Sequence, residues 1–149
     1  AIKELAEIYP NFKFVYPVHL NPNVREPVNK ILSNQSNIFL IEPLGYSDFV
    51  MLMSKSYIIL TDSGGIQEEA SSLDIPVLVM REVTERVEAI ETGVAKLIGT
   101  NKDSIIESAK DILEDDEKYK LMANGSNPYG DGTASVKIKE IIENLELWM

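Results

Sequence analysis

Ten consecutive residues carry the densest chemistry in this chain: Thr61, Asp62, Ser63, Gly64, Gly65, Ile66, Gln67, Glu68, Glu69 and Ala70. The apolar run Tyr57, Ile58, Ile59, Leu60 before them reads as a buried strand, and the residues after the glycines read as a helix. A strand that ends in Asp-Ser-Gly-Gly and turns into a helix is well placed to hold a phosphate. The glycines let backbone approach a ligand, and a helix start offers unpaired N–H groups and positive dipole. Glu69 falls about one turn further in, where a carboxylate can accept a hydrogen bond from a sugar hydroxyl. The motif is not a Walker loop, since no Gly-Lys-Ser/Thr follows, and it is not G-x-G-x-x-G. Read by itself, Ser-Gly-Gly is equally a tight turn, and Glu68 and Glu69 are equally favourable early-helix charges.

Three residues outside that run, and Asp62 within it, bear on the same chemistry. Arg86, in Thr84-Glu85-Arg86-Val87-Glu88, is a guanidinium able to face the same phosphates, or else an ion-pair partner of Glu82 or Glu88. Phe49 shares an apolar helical stripe with Leu52 and Met53, which suits core packing or contact with a base ring. His19 is the single histidine, so it cannot build a metal site with other His or Cys. Asp62 is expected to fix the turn by bonding nearby backbone N–H groups.

The elements that must position these residues alternate. Strands are expected at 12–18, 38–41, 57–60, 76–80 and 94–98. Helices are expected at 24–33, with Pro27 in its first turns, and at 48–54, with Ser47 as N-cap. Further helices are expected at 65–73, 85–91, 102–113, 116–123 and 134–147, and Gly93 is expected to end the fourth as a left-handed cap. Short continuous apolar strands alternating with helices indicate a parallel α/β sheet covered on both faces, a Rossmann-like doubly wound layer. Ligands of such sheets bind beyond the carboxyl ends of the strands. His19, residues 44–49, residues 62–65 and residues 81–86 all follow strands, so four loops converge on one edge.

The whole chain has 149 residues, 44% of them hydrophobic, which suffices for one domain with a core. Its formal net charge is −10, and it has no Lys/Arg-rich stretch of the kind a duplex-binding face needs. The acidic run Glu114, Asp115, Asp116, Glu117 reads as a solvated helix junction. The absence of cysteine excludes disulfides and thiolate metal sites and fits a cytoplasmic protein. No apolar run approaches the ~18 residues of a membrane span. Residues 1–9 have helical spacing but neither an initiator Met nor an N-cap, so the chain is expected to be a fragment that begins inside a helix.

Taken together, several segments resemble one family, the non-hydrolysing UDP-N-acetylglucosamine 2-epimerases. They are residues 15–24 (Val-Tyr-Pro-Val-His-Leu-Asn-Pro-Asn-Val), 61–70, 76–81 (Pro-Val-Leu-Val-Met-Arg), 84–86 (Thr-Glu-Arg), Gly93, and 127–132 (Asn-Pro-Tyr-Gly-Asp-Gly). The resemblance covers nearly the whole chain and only the C-terminal half of a two-domain GT-B-like fold. It implies that residues 1–149 form one UDP-binding Rossmann-like domain and that the domain with the catalytic carboxylates is absent. It further implies that Ser63, Gly64 and Gly65 hold the diphosphate, that Glu69 holds the ribose and that Arg86 contacts the nucleotide. Leu44, through its backbone, and Phe49 would border the uracil. His19 would belong to an allosteric site for a second UDP-N-acetylglucosamine.

The implied reaction eliminates UDP to give a 2-acetamidoglucal and adds it back with inversion at C2, giving UDP-N-acetylmannosamine without metal or redox cofactor. The family works in polysaccharide biosynthesis and is dimeric, largely through the absent domain, so this chain is expected to be a monomer that binds UDP weakly and does not turn over. The chain departs from the family pattern at Ser71, Asp74 and Val87, where proline, glycine and proline are common. Asp tolerates left-handed geometry, so Asp74 can keep its turn. Loss of proline at 87 removes a restriction on Arg86. Two rivals share the same phosphate loop: the donor-binding half of a GT-B glycosyltransferase, and a non-catalytic nucleotide-sugar sensor.

Overall fold

A computed structural model of the chain describes residues 1–145. Helix and strand alternate from α1 to α6, and two further helices follow. Helix α1 (Ile2–Ile8) leads to β1 (Phe14–Pro17), α2 (Pro22–Leu32), β2 (Ile38–Ile41), α3 (Tyr46–Ser54), β3 (Ile59–Thr61) and α4 (Gly64–Ser71). Then follow β4 (Val77–Val79), α5 (Val87–Glu91), β5 (Ala95–Leu97), α6 (Lys102–Leu113), α7 (Asp116–Ala123) and α8 (Ala134–Leu145). All recorded strand pairs are parallel.

Strand β4 lies at the centre and all three of its residues are buried. Successive strand side chains point to opposite faces. Leu78 accordingly enters one cluster, with Leu5 of α1, Ile105, Ile106, Ala109 and Ile112 of α6 and Met122 of α7. Val77 and Val79 enter the other, with Ala70 of α4, Ala89 of α5, Val94 and Ala95. The layer is therefore wound on both faces, as the alternating pattern predicts.

The five strands do not form one continuous ladder. Strands β3, β4 and β5 pair in that order, and β1 pairs only with β2. Side-chain packing bridges the gap: Phe14 of β1 packs against the same cluster as Leu60 of β3. Coverage is thinner on the β1–β2 pair, where the cross-strand partners Val15 and Phe39 are both exposed.

Several boundaries shift for local reasons. Helix α2 starts two residues before the expected Val24, because Asn21 accepts a hydrogen bond from Asn23 N–H (3.0 Å) and Pro22 takes a first-turn position. Pro27 therefore lies inside the helix and not in its first turn. Helix α3 starts at Tyr46 with Gly45 as its N-cap, so Ser47 is within the helix and caps nothing. Helix α5 begins at Val87, later than expected, because Arg86 N–H donates to the Thr84 hydroxyl (3.1 Å) and holds that segment in a turn. The end expected for the last helix, at 147, lies outside the described residues.

Gly93 is left-handed (φ 79°) and Asp74 is too (φ 57°), so the aspartate keeps the turn at 74. The acidic junction at 114–117 is the α6–α7 corner, where Asp115 caps α7 by accepting from the Glu117 and Lys118 N–H groups.

Candidate functional site

Strands β3 and β4 end side by side, with Thr61 opposite Val79, and Met80 N–H donates to Thr61 O (2.8 Å). The loops leaving them are thus neighbours. The first is the turn at Asp62 and Ser63. Its hydrogen bond runs from Ser63 N–H to the buried Thr61 hydroxyl (3.1 Å). Asp62 does not fix the turn as expected: its carboxylate accepts no hydrogen bond among the described residues, and a hydroxyl two residues back does the same work at shorter reach.

Ser63 is the N-cap of α4, in extended geometry, and makes no side-chain cap. The first N–H groups of α4 therefore have no intrahelical partner and no cap. A side chain caps α2 (Asn21), α6 (Asn101) and α7 (Asp115), whereas the helices that follow β2, β3 and β4 have none. Gly65 is exposed, and no atom lies within 4 Å of where a Cβ on it would stand. The same point on Gly64 is 3.8 Å from Arg86 Cζ and Nη2. The Arg86 guanidinium thus stands beside the start of α4.

Arg86 is half-buried and paired with Glu68, one turn into α4, and with Glu85 (3.6 Å). Its sequence-expected partners Glu82 and Glu88 are not the ones used. Glu82 instead accepts from the Thr100 N–H and hydroxyl (3.1 and 3.2 Å). The Glu68 hydrogen bond raises the Arg86 pKa further, so the guanidinium is a permanent cation. Glu85 also pairs with Arg81 (3.1 Å). Its own backbone N–H, then Arg81 and Arg86, hold its carboxyl below the ordinary value.

Glu68 and Glu69 have different fates. Glu68 is engaged by Arg86, whereas the Glu69 carboxylate has no hydrogen-bond or ion-pair partner among the described residues. Glu69 lines a groove of about 300 Å³ between α3 and α4, together with Tyr46, Val50, Met53 and Tyr129. Phe49 sits half-buried on the same helix as Tyr46 and Val50 but does not line the groove. Leu44 is exposed in the loop before α3. The Tyr129 hydroxyl is buried and has no hydrogen-bond partner among the described residues. Burial first, then Glu88 and Glu68, push its pKa up. Asn127 holds that loop down: its Nδ2 donates to Ser72 Oγ (3.1 Å) and its Oδ1 accepts from Tyr129 N–H (3.0 Å).

His19 lies apart, beyond β1, where its Nδ1 accepts from Asn21 N–H (3.1 Å) at the start of α2. The structure thus gathers Ser63, Gly64, Gly65, Glu69 and Arg86 around α4, sets Leu44 and Phe49 on the flank, and leaves His19 on the β1–β2 pair. A larger hollow, about 500 Å³, lies between α6 and α7 and is lined by charged side chains, none of them among the residues gathered around α4. Among the described residues no cluster of His, Cys, Asp or Glu could hold a metal ion, and no helix is long and apolar enough to cross a membrane.

Gln67, Thr84 and Tyr129 also border this site; they fall inside the segments that carry the resemblance, yet their types and spacing alone give them no role there. A glutamine in a helical run reads as surface. Only proximity across the fold makes it a fully buried partner of a residue seventeen positions away.

A parallel α/β layer wound on both faces, with an uncapped helix start and an arginine at its central crossover, has the architecture of one half of a GT-B-like fold. The family model described as UDP-N-acetylglucosamine 2-epimerase matches residues 1–143, and the chain belongs to that family. It is 57% identical over 145 residues to a UDP-N-acetylglucosamine 2-epimerase of Neisseria meningitidis, covering 97% of this chain and 38% of that protein.

Among solved structures, the Neisseria meningitidis UDP-GlcNAc 2-epimerase bound to UDP-GlcNAc superposes with a TM-score of 0.91 at 56% identity, over 96% of this chain and 38% of that one. The S. aureus MnaA–UDP co-structure gives 0.93 at 49%, over 99% of this chain and 40% of that one. The chain therefore spans about two fifths of the length of the relatives it matches. These matches favour epimerisation over the glycosyltransferase reading.

Proposed function

We propose that this chain is the UDP-binding half of an enzyme that interconverts UDP-N-acetylglucosamine and UDP-N-acetylmannosamine. Elimination breaks the C1–O bond to UDP and removes the C2 proton; re-addition re-forms the C1–O bond at C1 and returns a proton to the opposite face of C2. The part assigned to this chain is stabilisation of the departing diphosphate. Gly64 and Gly65 offer it backbone amides, Ser63 a hydroxyl and Arg86 a cation, and all act where negative charge accumulates as the bond breaks. Glu69 takes the ribose hydroxyls, and Leu44 and Phe49 border the uracil. His19 contributes to a separate regulatory site for the same nucleotide sugar. The groups that move the C2 proton belong to the length of the relatives that this chain does not span. The whole enzyme is a cytoplasmic homodimer serving envelope polysaccharide synthesis, and residues 1–149 form one domain of it.

One observation carries the reading: the Arg86 guanidinium stands 3.8 Å from the Cβ position of Gly64, beside an uncapped helix start. Titration of the isotope-labelled chain with UDP tests it. Amide shifts at Gly64, Gly65 and Glu69 are expected, with weak affinity, because half a cleft leaves the nucleotide part-solvated. Silence at those amides rules the reading out. No conversion of UDP-N-acetylglucosamine by this chain alone is expected, and measurable turnover would overturn the assignment of proton transfer to the other half.

A further inference from the structure

Residue 87 is valine, so no proline ring restricts the backbone of Arg86. Another device must hold it beside the Ser63 turn, and a buried amide supplies one. Gln67 is 0% exposed. Its Nε2 donates to Ser63 O (3.1 Å), and its Oε1 accepts from the Thr84 hydroxyl (2.8 Å). That hydroxyl has given its proton to Gln67, so its lone pair is free to accept Arg86 N–H (3.1 Å). Ser71 Oγ donates to the Gln67 carbonyl (2.6 Å) and anchors the same residue from behind.

A buried amide costs desolvation that an apolar residue would not. Ala70, on the same helix, shows what the bland solution looks like there. What the amide gains is a fixed distance between two loops, and both loops belong to the site: Ser63 on one, Arg86 on the other. A chain of hydrogen bonds in a low-dielectric interior also has a fixed polarity, so it specifies one arrangement.

We propose that Gln67 and Thr84 are positioning residues for diphosphate binding: they latch the Arg86 loop to the Ser63–Gly65 turn without touching the ligand. The inference rests on the phosphate reading above and deepens it. It requires that breaking the latch harm recognition of the phosphates and spare recognition of the nucleoside.

The test uses the 149-residue chain with UDP and uridine as probes. Thr84→Val and Thr84→Ala remove the hydroxyl from a half-exposed loop position, and Thr84→Ser restores it. Both removals are expected to weaken UDP about tenfold, with uridine unchanged, and Thr84→Ser to return affinity to within about twofold of wild type. In an Arg86→Ala background Thr84→Val should have no further effect, since the latch acts through that arginine. Equal UDP affinity in Thr84→Val, equal losses for UDP and uridine, or additivity with Arg86→Ala would each overturn the proposal. So would failure of both removals to fold, which makes the hydroxyl structural. If the wild type itself gives no UDP-dependent shifts at Gly64 and Gly65, the phosphate reading has failed and takes this one with it; that case is told apart because no variant is needed to see it.

Discussion

Glu85 Oε1 lies 2.7 Å from the point where a Cβ on Gly64 would stand. In this structure an acidic side chain therefore rests against the helix start that the proposed ligand would use, and the glycine makes the approach possible.

The first consequence concerns Gly64 itself. Gly64→Ala places a methyl against the far end of a flexible exposed glutamate, which can rotate away. Thermal unfolding should shift little, while UDP affinity falls by about tenfold or more because the methyl stands where a phosphate oxygen must come. Paired melting and binding curves check this, and parallel losses in both would contradict it.

Glu85→Gln should act in the opposite direction. A carboxylate near a bound phosphate is repelled by about 1 kcal/mol at 4 Å in water. Neutralising it should tighten UDP binding about fivefold at low ionic strength, with the gain shrinking as salt screens the charges. A salt series on wild type and variant reads the effect directly.

Gly125 is constrained by packing and not by ligand. A Cβ there would overlap Val94 Cγ1 and stand 3.0 Å from Thr92 O and 3.3 Å from Met122 O. Two of these neighbours are backbone and cannot yield. Gly125→Ala should cost about 1–3 kcal/mol in urea unfolding.

Tyr9 sets a limit at high pH. Burial, then its hydrogen bond to Glu114 Oε1 (2.5 Å), pushes the phenol up to about 12 from 10.0. A raised folded pKa means that this contribution is complete below the unfolded value and is lost as pH climbs through 10 to 12. The stability difference between wild type and Tyr9→Phe should therefore be flat up to pH 10 and close between pH 10 and 12. A constant difference across that window would show the phenol is not coupled to folding.

What sequence alone discloses of this molecule is its alternation and its turns. The α6 and α7 spans coincide with expectation, as do the left-handed Gly93 and Asp74, because those features are dictated within a few residues. The placing of Ser63 at the N-cap of α4, with Gly64 and Gly65 as its first residues, is local in the same sense. What is not legible is anything decided across the fold. Arg86 takes Glu68 in preference to Glu82 or Glu88 because α4 and the β4–α5 loop meet in space, which no spacing rule encodes. Thr61 replaces Asp62 in the turn because its hydroxyl is already buried beside Ser63 N–H. The break between β1 and β3 is likewise invisible in the apolar pattern, since Phe14 and Leu60 are equally satisfied by packing and by pairing.

The uncapped start of α4 has one more result. Asn21, Asn101 and Asp115 show that this chain has caps to use, and each is worth about 1 kcal/mol. Without one, the first turn of α4 is more prone to fray than those of α2, α6 and α7. Fraying and occupancy then become a single equilibrium: an anion seated on Gly64 and Gly65 tightens the turn, and loosening of the turn lets the anion go.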